Sequence, residues 1–164
     1  MDFEETYNRL FKPVLAYVQS RVQRPDAAAD VAAHVWQKAF EHRDQYRPEE
    51  GLADQWIFGI ARNEVNKYFG FWGFKRFLSL TPQEELFPAP EELPPQQLER
   101  QELNRRLWAA LQRLDNRERD LVSLKFYGGF NNRQIARLTG YSESNVGTLL
   151  SRALHKLRVW VGNV

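Results

Sequence analysis

The sequence predicts an all-α protein made of two small helical domains joined by a proline-rich acidic linker. Apolar residues recur at three- and four-residue steps in both halves of the chain, which is the period of amphipathic helices. No stretch alternates apolar and polar residues for long enough to form a sheet. Five of the eight prolines fall within TPQEELFPAPEELPPQQ, which interrupts the helical pattern. We therefore predict domains at residues 1–80 and 99–164 and a flexible linker at 81–98.

Three helices are predicted in the first domain. An apolar stripe from Phe3 to Val22 forms the first, and the second is expected from about Asp26 to Asp44. The second should turn the following residues toward the core: Val31, Val35, Ala39 and Phe40. The third is expected from about Leu52 to Phe69, after a break at Pro48 and Gly51. For Trp56, burial in the three-helix core is favoured over a role in binding.

Charge is distributed unevenly along the chain. Basic and acidic side chains balance in residues 1–80, and the acidic stretch 81–100 has a net charge of about −4. Residues 101–164 carry eleven basic and five acidic side chains, a net charge of about +6. This basic excess is what a surface facing phosphates would show, although a solvated basic face is the alternative.

Several classes of protein are disfavoured by composition. No apolar run approaches the roughly 20 residues of a membrane span, so we expect no membrane insertion. The N-terminus MDFEETYNRLFK lacks the order of a secretory signal, which predicts a cytoplasmic protein. The absence of cysteine excludes disulfides and thiolate metal sites.

Enzymatic motifs are missing as well. The three histidines, His34, His42 and His155, do not have zinc-hydrolase spacing. There is no glycine-rich phosphate loop and no serine in a nucleophile elbow. We expect a protein that is not an enzyme, with no catalytic residue, metal or cofactor.

The segment NNRQIARLTGYSESNVGTLLSRALHKLR predicts a DNA-binding helix-turn-helix. A short helix at about 131–138 precedes a turn built on Gly140, and Ser142 is placed to cap a longer helix. The small Ala136 permits close packing, and Val146 buries the second helix. A plain helical hairpin is the alternative, but the combined spacing favours DNA binding. The outward positions of the second helix begin with short polar residues and end with cations, as expected for base and then phosphate contacts.

Aromatic and basic residues alternate in QWIFGIARNEVNKYFGFWGFKRF, a combination that proteins use to hold unpaired bases. Arg62, Asn63, Asn66 and Lys67 lie off the apolar stripe and are candidate ligands of a single strand. The end of this segment, GFWGFKRF, has three possible roles: contact with a membrane surface, docking of a partner, or packing under the linker. Packing under the linker is favoured.

Two stretches together resemble the extracytoplasmic-function (ECF, group IV) sigma factors of bacterial RNA polymerase, in the sigma-70 family. DVAAHVWQKAFEHRDQYRPEEGLADQWIFGIARNEVNKYF is similar to their region 2. LDNRERDLVSLKFYGGFNNRQIARLTGYSESNVGTLLSRALHKLR is similar to their region 4. The two occur in the family's order, with a variable linker between them.

The resemblance implies a non-catalytic subunit that binds core RNA polymerase, recognises the minus-35 element of promoter DNA as duplex and opens the minus-10 element. It implies a monomer when free and raises an anti-sigma factor as a further partner. The residues it assigns to the polymerase are Asp30, Ala33, His34, Trp36 and Gln37. The loop from Tyr46 to Gln55 and the start of the IARN run match the part that captures a flipped base of the minus-10 single strand, with Asn63 at the base-contacting position. Together with the candidates off the apolar stripe, the predicted single-strand set is Tyr46, Arg62, Asn63, Asn66 and Lys67. Those assigned to the minus-35 duplex are Lys125, Asn132, Arg133, Gly147, Thr148, Ser151 and Arg152. The outward positions of the second helix add Ser144, Asn145 and Lys156 to this predicted duplex-binding set.

Three residues depart from the family's usual pattern. His34 stands where an acidic residue is usual, and Trp36 replaces a phenylalanine. Gly147 stands where a base-reading Arg or Lys is frequent. A stand-alone helix-turn-helix regulator, which would bind a palindrome without polymerase, is the alternative to the sigma interpretation.

Overall fold

The computed structural model describes residues 1–78 and 95–162, and the side chains of residues 1–71 and 99–162. These residues form α-helices with no strand, which confirms the all-α class. The helices are α1 Phe3–Arg21, α2 Pro25–Glu41, α3 Ala53–Leu78, α4 Pro95–Arg113, α5 Asn116–Phe126, α6 Asn132–Thr139 and α7 Glu143–Val161. Two short 3-10 turns, Arg43–Gln45 and Pro48–Glu50, lie between α2 and α3.

Helices α1, α2 and α3 pack on one another as the first domain. Val14, Val18 and Val35 are fully buried there, as the helical spacing predicts. The expectation that Phe40 faces the core is wrong, because its side chain is 53% exposed. The fully buried Ala39 occupies the inward position instead. Phe40 packs at the surface, with its ring centroid 5.4 Å from that of Phe3.

The ends of α3 and α4 differ from the predicted boundaries. Helix α3 continues past the expected end at Phe69 to Leu78, through the GFWGFKRF segment. Most side chains of that segment, and residues 79–94, lie outside the described residues. Helix α4 begins at Pro95, inside the predicted linker 81–98. Proline is compatible with this position because the first helical residue needs no backbone N–H donor.

Helices α4 to α7 form the second domain, and local hydrogen bonds set their ends. The Asp115 and Asn131 side chains cap α5 and α6, each in a capping box. The predicted cap of α7 is confirmed, since the Ser142 hydroxyl accepts from the Asn145 amide at 3.1 Å. Gly140 has φ 77°, the left-handed conformation expected for the turn. Val146 is fully buried on the inner face of α7.

The two domains contact each other directly. Helix α5 lies against α1, and α6 lies against α3. At the second contact a Cβ atom on Gly59 would lie 3.9 Å from Leu138, so the helices approach closely there. The sequence left this relative orientation open.

Candidate nucleic-acid interface

The outer face of α7 is polar over its first half. The predicted duplex-binding residues that are exposed on α7 are Ser144, Asn145, Thr148, Ser151 and Arg152. The opposite face carries Val146, Leu150, Ala153 and Leu157, all buried. This division leaves short hydrogen-bonding side chains and one guanidinium on a convex surface that could enter a groove of DNA.

Three helices bring predicted residues together beside Gly147. The Lys125 ammonium of α5 donates to Asn132 Oδ1 of α6 at 3.3 Å. A Cβ atom on Gly147 of α7 would lie 3.6 Å from Asn132 Nδ2, an ordinary contact distance. A methyl group would therefore fit at position 147, and its absence leaves the Asn132 amide partly uncovered.

Two other predicted cations are paired with carboxylates. Lys156 Nζ lies 2.7 Å from Glu118 Oε1, and that carboxylate is almost fully buried. Arg133 lies 3.7 Å from Glu143 at the surface. A buried partner holds Lys156 in one position, whereas the exposed pair at Arg133 is weak. Lys156 thus both links α7 to α5 and lines the candidate surface.

A cleft of about 580 Å³ lies between α2 and α3 in the first domain. Asn63, Asn66 and Lys67, three of the predicted single-strand ligands, are exposed and line it. Lys38 of α2 and His42 at the C-terminal end of that helix line it from the other side, and the sequence did not predict either residue for this role. Lys38 lies in the last turn of α2 and His42 is the residue that caps its C-terminus, and their separation by four residues was the available signal.

Tyr46 lies apart from this cleft. Its hydroxyl donates to the Gly51 carbonyl at 3.1 Å, and its ring centroid is 5.7 Å from that of Trp56. Trp56 packs against the core but is only partly buried, so the expected burial of Trp56 is confirmed in part. The contacts of Tyr46 with Trp56 and with the Gly51 carbonyl hold the loop between α2 and α3 in place.

Arg62 points away from Asn63 and toward the second domain. Its Nε lies 2.7 Å from Asp120 Oδ2 of α5, and Nη1 donates to the Leu138 carbonyl at 3.4 Å. Burial favours the neutral guanidine, but the hydrogen bond and charge of Asp120 outweigh it and raise the pKa of Arg62. In this structure, Arg62 is therefore bound to protein at a position predicted to contact DNA.

The Asp120 carboxylate is the centre of a buried polar cluster between the domains. Its Oδ1 accepts from the Tyr17 hydroxyl at 2.7 Å and from Arg21 Nη1 at 2.5 Å. The side chains of Arg21 and Asp120 are 2% and 5% exposed. Burial and the negative charge of Asp120 raise the pKa of Tyr17 well above its ordinary value. The phenol is thus a neutral donor.

The sequence contains a weak signal of this cluster. Tyr17 and Arg21 lie one helical turn apart among Val14, Val18 and Val22, so a cation interrupts an apolar stripe. A buried arginine requires a partner, but nothing in the sequence identifies Asp120 as that partner.

The predicted polymerase-binding residues lie on α2 in two different environments. Asp30, Ala33, His34 and Gln37 are exposed. Trp36 is 7% exposed, and its ring packs against those of Phe3 and Tyr7. The Trp36 indole therefore supports the surface from beneath and offers little area to a partner.

The described ranges 1–78 and 95–162 contain neither a metal-binding cluster nor a membrane-spanning helix. No group of three His, Cys, Asp or Glu residues there could hold a metal ion. No helix of these ranges has the length and apolar character needed to cross a membrane.

The chain matches two parts of one protein family in order. Sigma-70 region 2 matches residues 6–70, and Sigma-70, region 4 matches residues 104–157. Over 138 residues the chain is 33% identical to the ECF RNA polymerase sigma factor RpoE of Cereibacter sphaeroides, covering 83% of this chain and 71% of the relative. It is 23% identical to the RNA polymerase sigma factor YlaC of Bacillus subtilis over 155 residues, covering 94% and 89% of the two chains.

Two solved structures share the fold across both domains. The sigma factor RpoE of Bartonella quintana, in complex with the anti-sigma factor NepR, aligns with a TM-score of 0.79 at 21% identity, covering 98% of this chain and 96% of that one. CnrH, in complex with the cytosolic domain of CnrY, aligns with a TM-score of 0.67 at 20% identity, covering 96% and 85%. From the matched regions and the 33% identical relative, the chain belongs to the ECF RNA polymerase sigma factors of the sigma-70 family.

Proposed function

We propose that this chain directs core RNA polymerase to promoters by holding the minus-35 duplex with α7 and the unpaired minus-10 strand at the cleft between α2 and α3. The observation that carries the proposal is that two surfaces of different shape occupy different domains. One is a convex polar helix face, which suits a groove of duplex DNA. The other is a cleft whose lining includes two amides and two ammonium groups beside Ile60, His42 and the Glu64 carboxylate, and its amides suit extruded bases.

The second domain would contact the bases of the minus-35 duplex with the first half of α7 and its phosphates with the cations of the same surface. Asn145, Thr148 and Ser151 supply short donors and acceptors, and Arg152 supplies a charge one turn further on. Lys125 and Asn132 reach the same surface beside Gly147. With no side chain at 147, Asn132 is the nearest polar group at that position.

The single-strand arm would use the cleft for one or two nucleotides. Its volume of about 580 Å³ lies within the range of ligand pockets. The Asn63 and Asn66 amides can pair with base edges. Lys38 and Lys67 are paired with Glu41 and Glu64 at the surface, and such exposed pairs are weak enough to be exchanged for phosphates. Tyr46 adds an aromatic ring nearby in the loop. Arg62 could join them only after it leaves Asp120.

The polymerase would bind the exposed side of α2 at Asp30, Ala33, His34 and Gln37, with Trp36 as the support beneath. We further propose that the chain is a group IV member and acts in the cytoplasm as a non-catalytic, cofactor-free subunit, monomeric when free. Because both solved structures are complexes with another chain, an anti-sigma factor is also proposed as a partner.

Reconstitution with core polymerase on a genomic promoter library, scored by run-off transcription, tests the proposal. We expect discrete transcripts that require the chain, and weak or no binding of duplex DNA by the chain alone. The stand-alone regulator predicts the reverse: no transcripts, and specific retardation of a palindromic duplex by the isolated chain. That second result would refute the sigma function while leaving DNA binding by α7 intact.

A further inference from the structure

We propose that Asp120 is the latch of an autoinhibited state, in which the second domain closes on the first and withholds Arg62 from DNA. The inference rests on the proposed function, because the inhibited activity is promoter binding with polymerase. The contact is internal to the chain, so the closed state needs no partner.

The geometry of the carboxylate carries the proposal. Asp120 belongs to the second domain, but Tyr17, Arg21 and Arg62, its three side-chain partners described above, all belong to the first. Both carboxylate oxygens are used. An aspartate serving only its own domain would bond within that domain, as Asp115 does in capping α5.

Other polar contacts surround the carboxylate. The Ser20 and Ser123 hydroxyls are 2.8 Å apart and fully buried. Arg21 Nη2 donates to Asn116 Oδ1 at 3.0 Å, and Gln23 Nε2 donates to Gln112 Oε1 at 2.8 Å. This part of the interface is therefore built of hydrogen bonds that water can replace when the domains part.

The closed state depends on Asp120 because this carboxylate balances the charge of two arginines at the domain interface. Arg21 and Arg62 are 2% and 20% exposed, and Asp120 is their common counter-ion. Removal of the carboxylate would leave the buried Arg21 and the partly buried Arg62 guanidinium groups without a counter-ion, which is strongly unfavourable. The guanidiniums regain water if the domains separate, without unfolding of either helix. Loss of Asp120 should therefore shift the chain toward an open state.

In the closed state, the two DNA-binding surfaces are also too close together to reach both promoter elements. Elements centred near positions −10 and −35 are about 25 base pairs apart, or about 85 Å at 3.4 Å per base pair. A 164-residue chain folded as one body has a radius of gyration of about 15 Å. The residues between Leu78 and Pro95 can span at most about 55 Å. The α7 face and the cleft between α2 and α3 can contact one promoter at the same time only if the domains move apart.

A reversible cross-link tests the latch in the full chain. Ser20→Cys with Ser123→Cys places two thiols at adjoining buried positions in a sequence that has no other cysteine. We expect the oxidised chain, with cross-linking verified by gel mobility, to lose run-off transcription by at least about tenfold, and reduction to restore it. Each single variant, treated with the same oxidant, is the control.

Transcription by the oxidised, cross-linked chain at the level of the reduced chain would overturn the proposal. If the reduced and wild-type chains also give no transcripts, the proposed sigma function fails instead. In that case, energy transfer between dyes on the two domains still tests whether Asp120 holds them together, because it does not depend on transcription.

Asp120→Asn measures the latch without polymerase. We expect energy transfer between dyes on the two domains to fall, with the open fraction rising at least about tenfold and helix content by circular dichroism unchanged. Glu102→Gln is the matched control, since Glu102 pairs with Arg105 and Arg106 of its own helix. Equal energy transfer in wild type, Asp120→Asn and Glu102→Gln would contradict a latch at Asp120.

Discussion

The ring of Phe58 on α3 lies edge to face against the ring of Phe130, which precedes α6, with centroids 5.1 Å apart and planes at 88°. Both rings are buried although they belong to different domains. Phe58 also meets Tyr17, at 5.7 Å between centroids. This aromatic contact thus joins the apolar part of the domain interface to the polar cluster around Asp120.

A double-mutant cycle should detect that contact. Phe58→Leu and Phe130→Leu each keep an apolar side chain and remove the ring. We expect a coupling free energy of about 0.5–1.5 kcal/mol in denaturant unfolding, because an edge-to-face pair contributes about this much beyond its buried area. Additive effects within about 0.3 kcal/mol would show that the two rings do not interact.

Two glycine-to-alanine changes should have opposite effects on stability. Gly147→Ala should raise the free energy of unfolding by about 0.5–1 kcal/mol, since the position is helical and a Cβ fits there. Gly140→Ala should lower it by about 1–2 kcal/mol, because φ is 77° at the turn. Thermal denaturation of both variants measures the signs. A loss of stability in Gly147→Ala would contradict the space described beside Asn132.

Asn63→Ala should separate strand opening from polymerase binding. Asn63 is exposed in the cleft, so its removal should leave the fold and the α2 surface unchanged. We expect about a tenfold loss in promoter opening, measured by permanganate reactivity of unpaired thymines, because one base contact contributes roughly 1–3 kcal/mol. Asn104→Ala, an exposed change on α4, is the control. Loss of affinity for core polymerase in Asn63→Ala would contradict the proposal that Asn63 contacts an unpaired base and does not bind polymerase.

Alkaline pH should weaken the domain interface through Tyr17. Its folded pKa is raised by burial and by Asp120, while Arg21 and Arg62 act in the other direction. The Tyr17 phenol therefore makes its full contribution to the free energy of unfolding below its unfolded pKa of about 10. This contribution is lost as pH rises through the higher folded pKa. Wild-type stability should fall relative to Tyr17→Phe above pH 10, by up to about 1.4 kcal/mol per pH unit. A constant difference between the two proteins from pH 8 to 11 would exclude this linkage.

Local rules were enough to predict the helix-turn-helix. The cap at Ser142, the left-handed Gly140 and the buried Val146 each follow from a few neighbouring residues. Phe40 was mispredicted because its position borders the apolar face of α2, where the period alone does not separate inward from outward. Helix spacing also could not show that Trp36 is covered by the Phe3 and Tyr7 rings of α1.

Long-range pairing was outside the reach of sequence patterns. Asp120 contacts residues 99 and 103 positions earlier in the chain, and no spacing rule connects them. Arg62 shows the consequence. Its polar character correctly marked it as lying off the apolar stripe, but the sequence could not show that Asp120 binds it in this structure.

The distance between the domains in the free and promoter-bound states tests the central claim most directly. Dyes on cysteines introduced at Lys12 and Arg105, exposed on α1 and α4, would report it in the free chain and in the complex with polymerase and promoter. We expect at most about 45 Å in the free chain. In the transcribing complex we expect an increase of at least about 20 Å, since the promoter elements lie about 85 Å apart. The same short distance in both states would contradict the account.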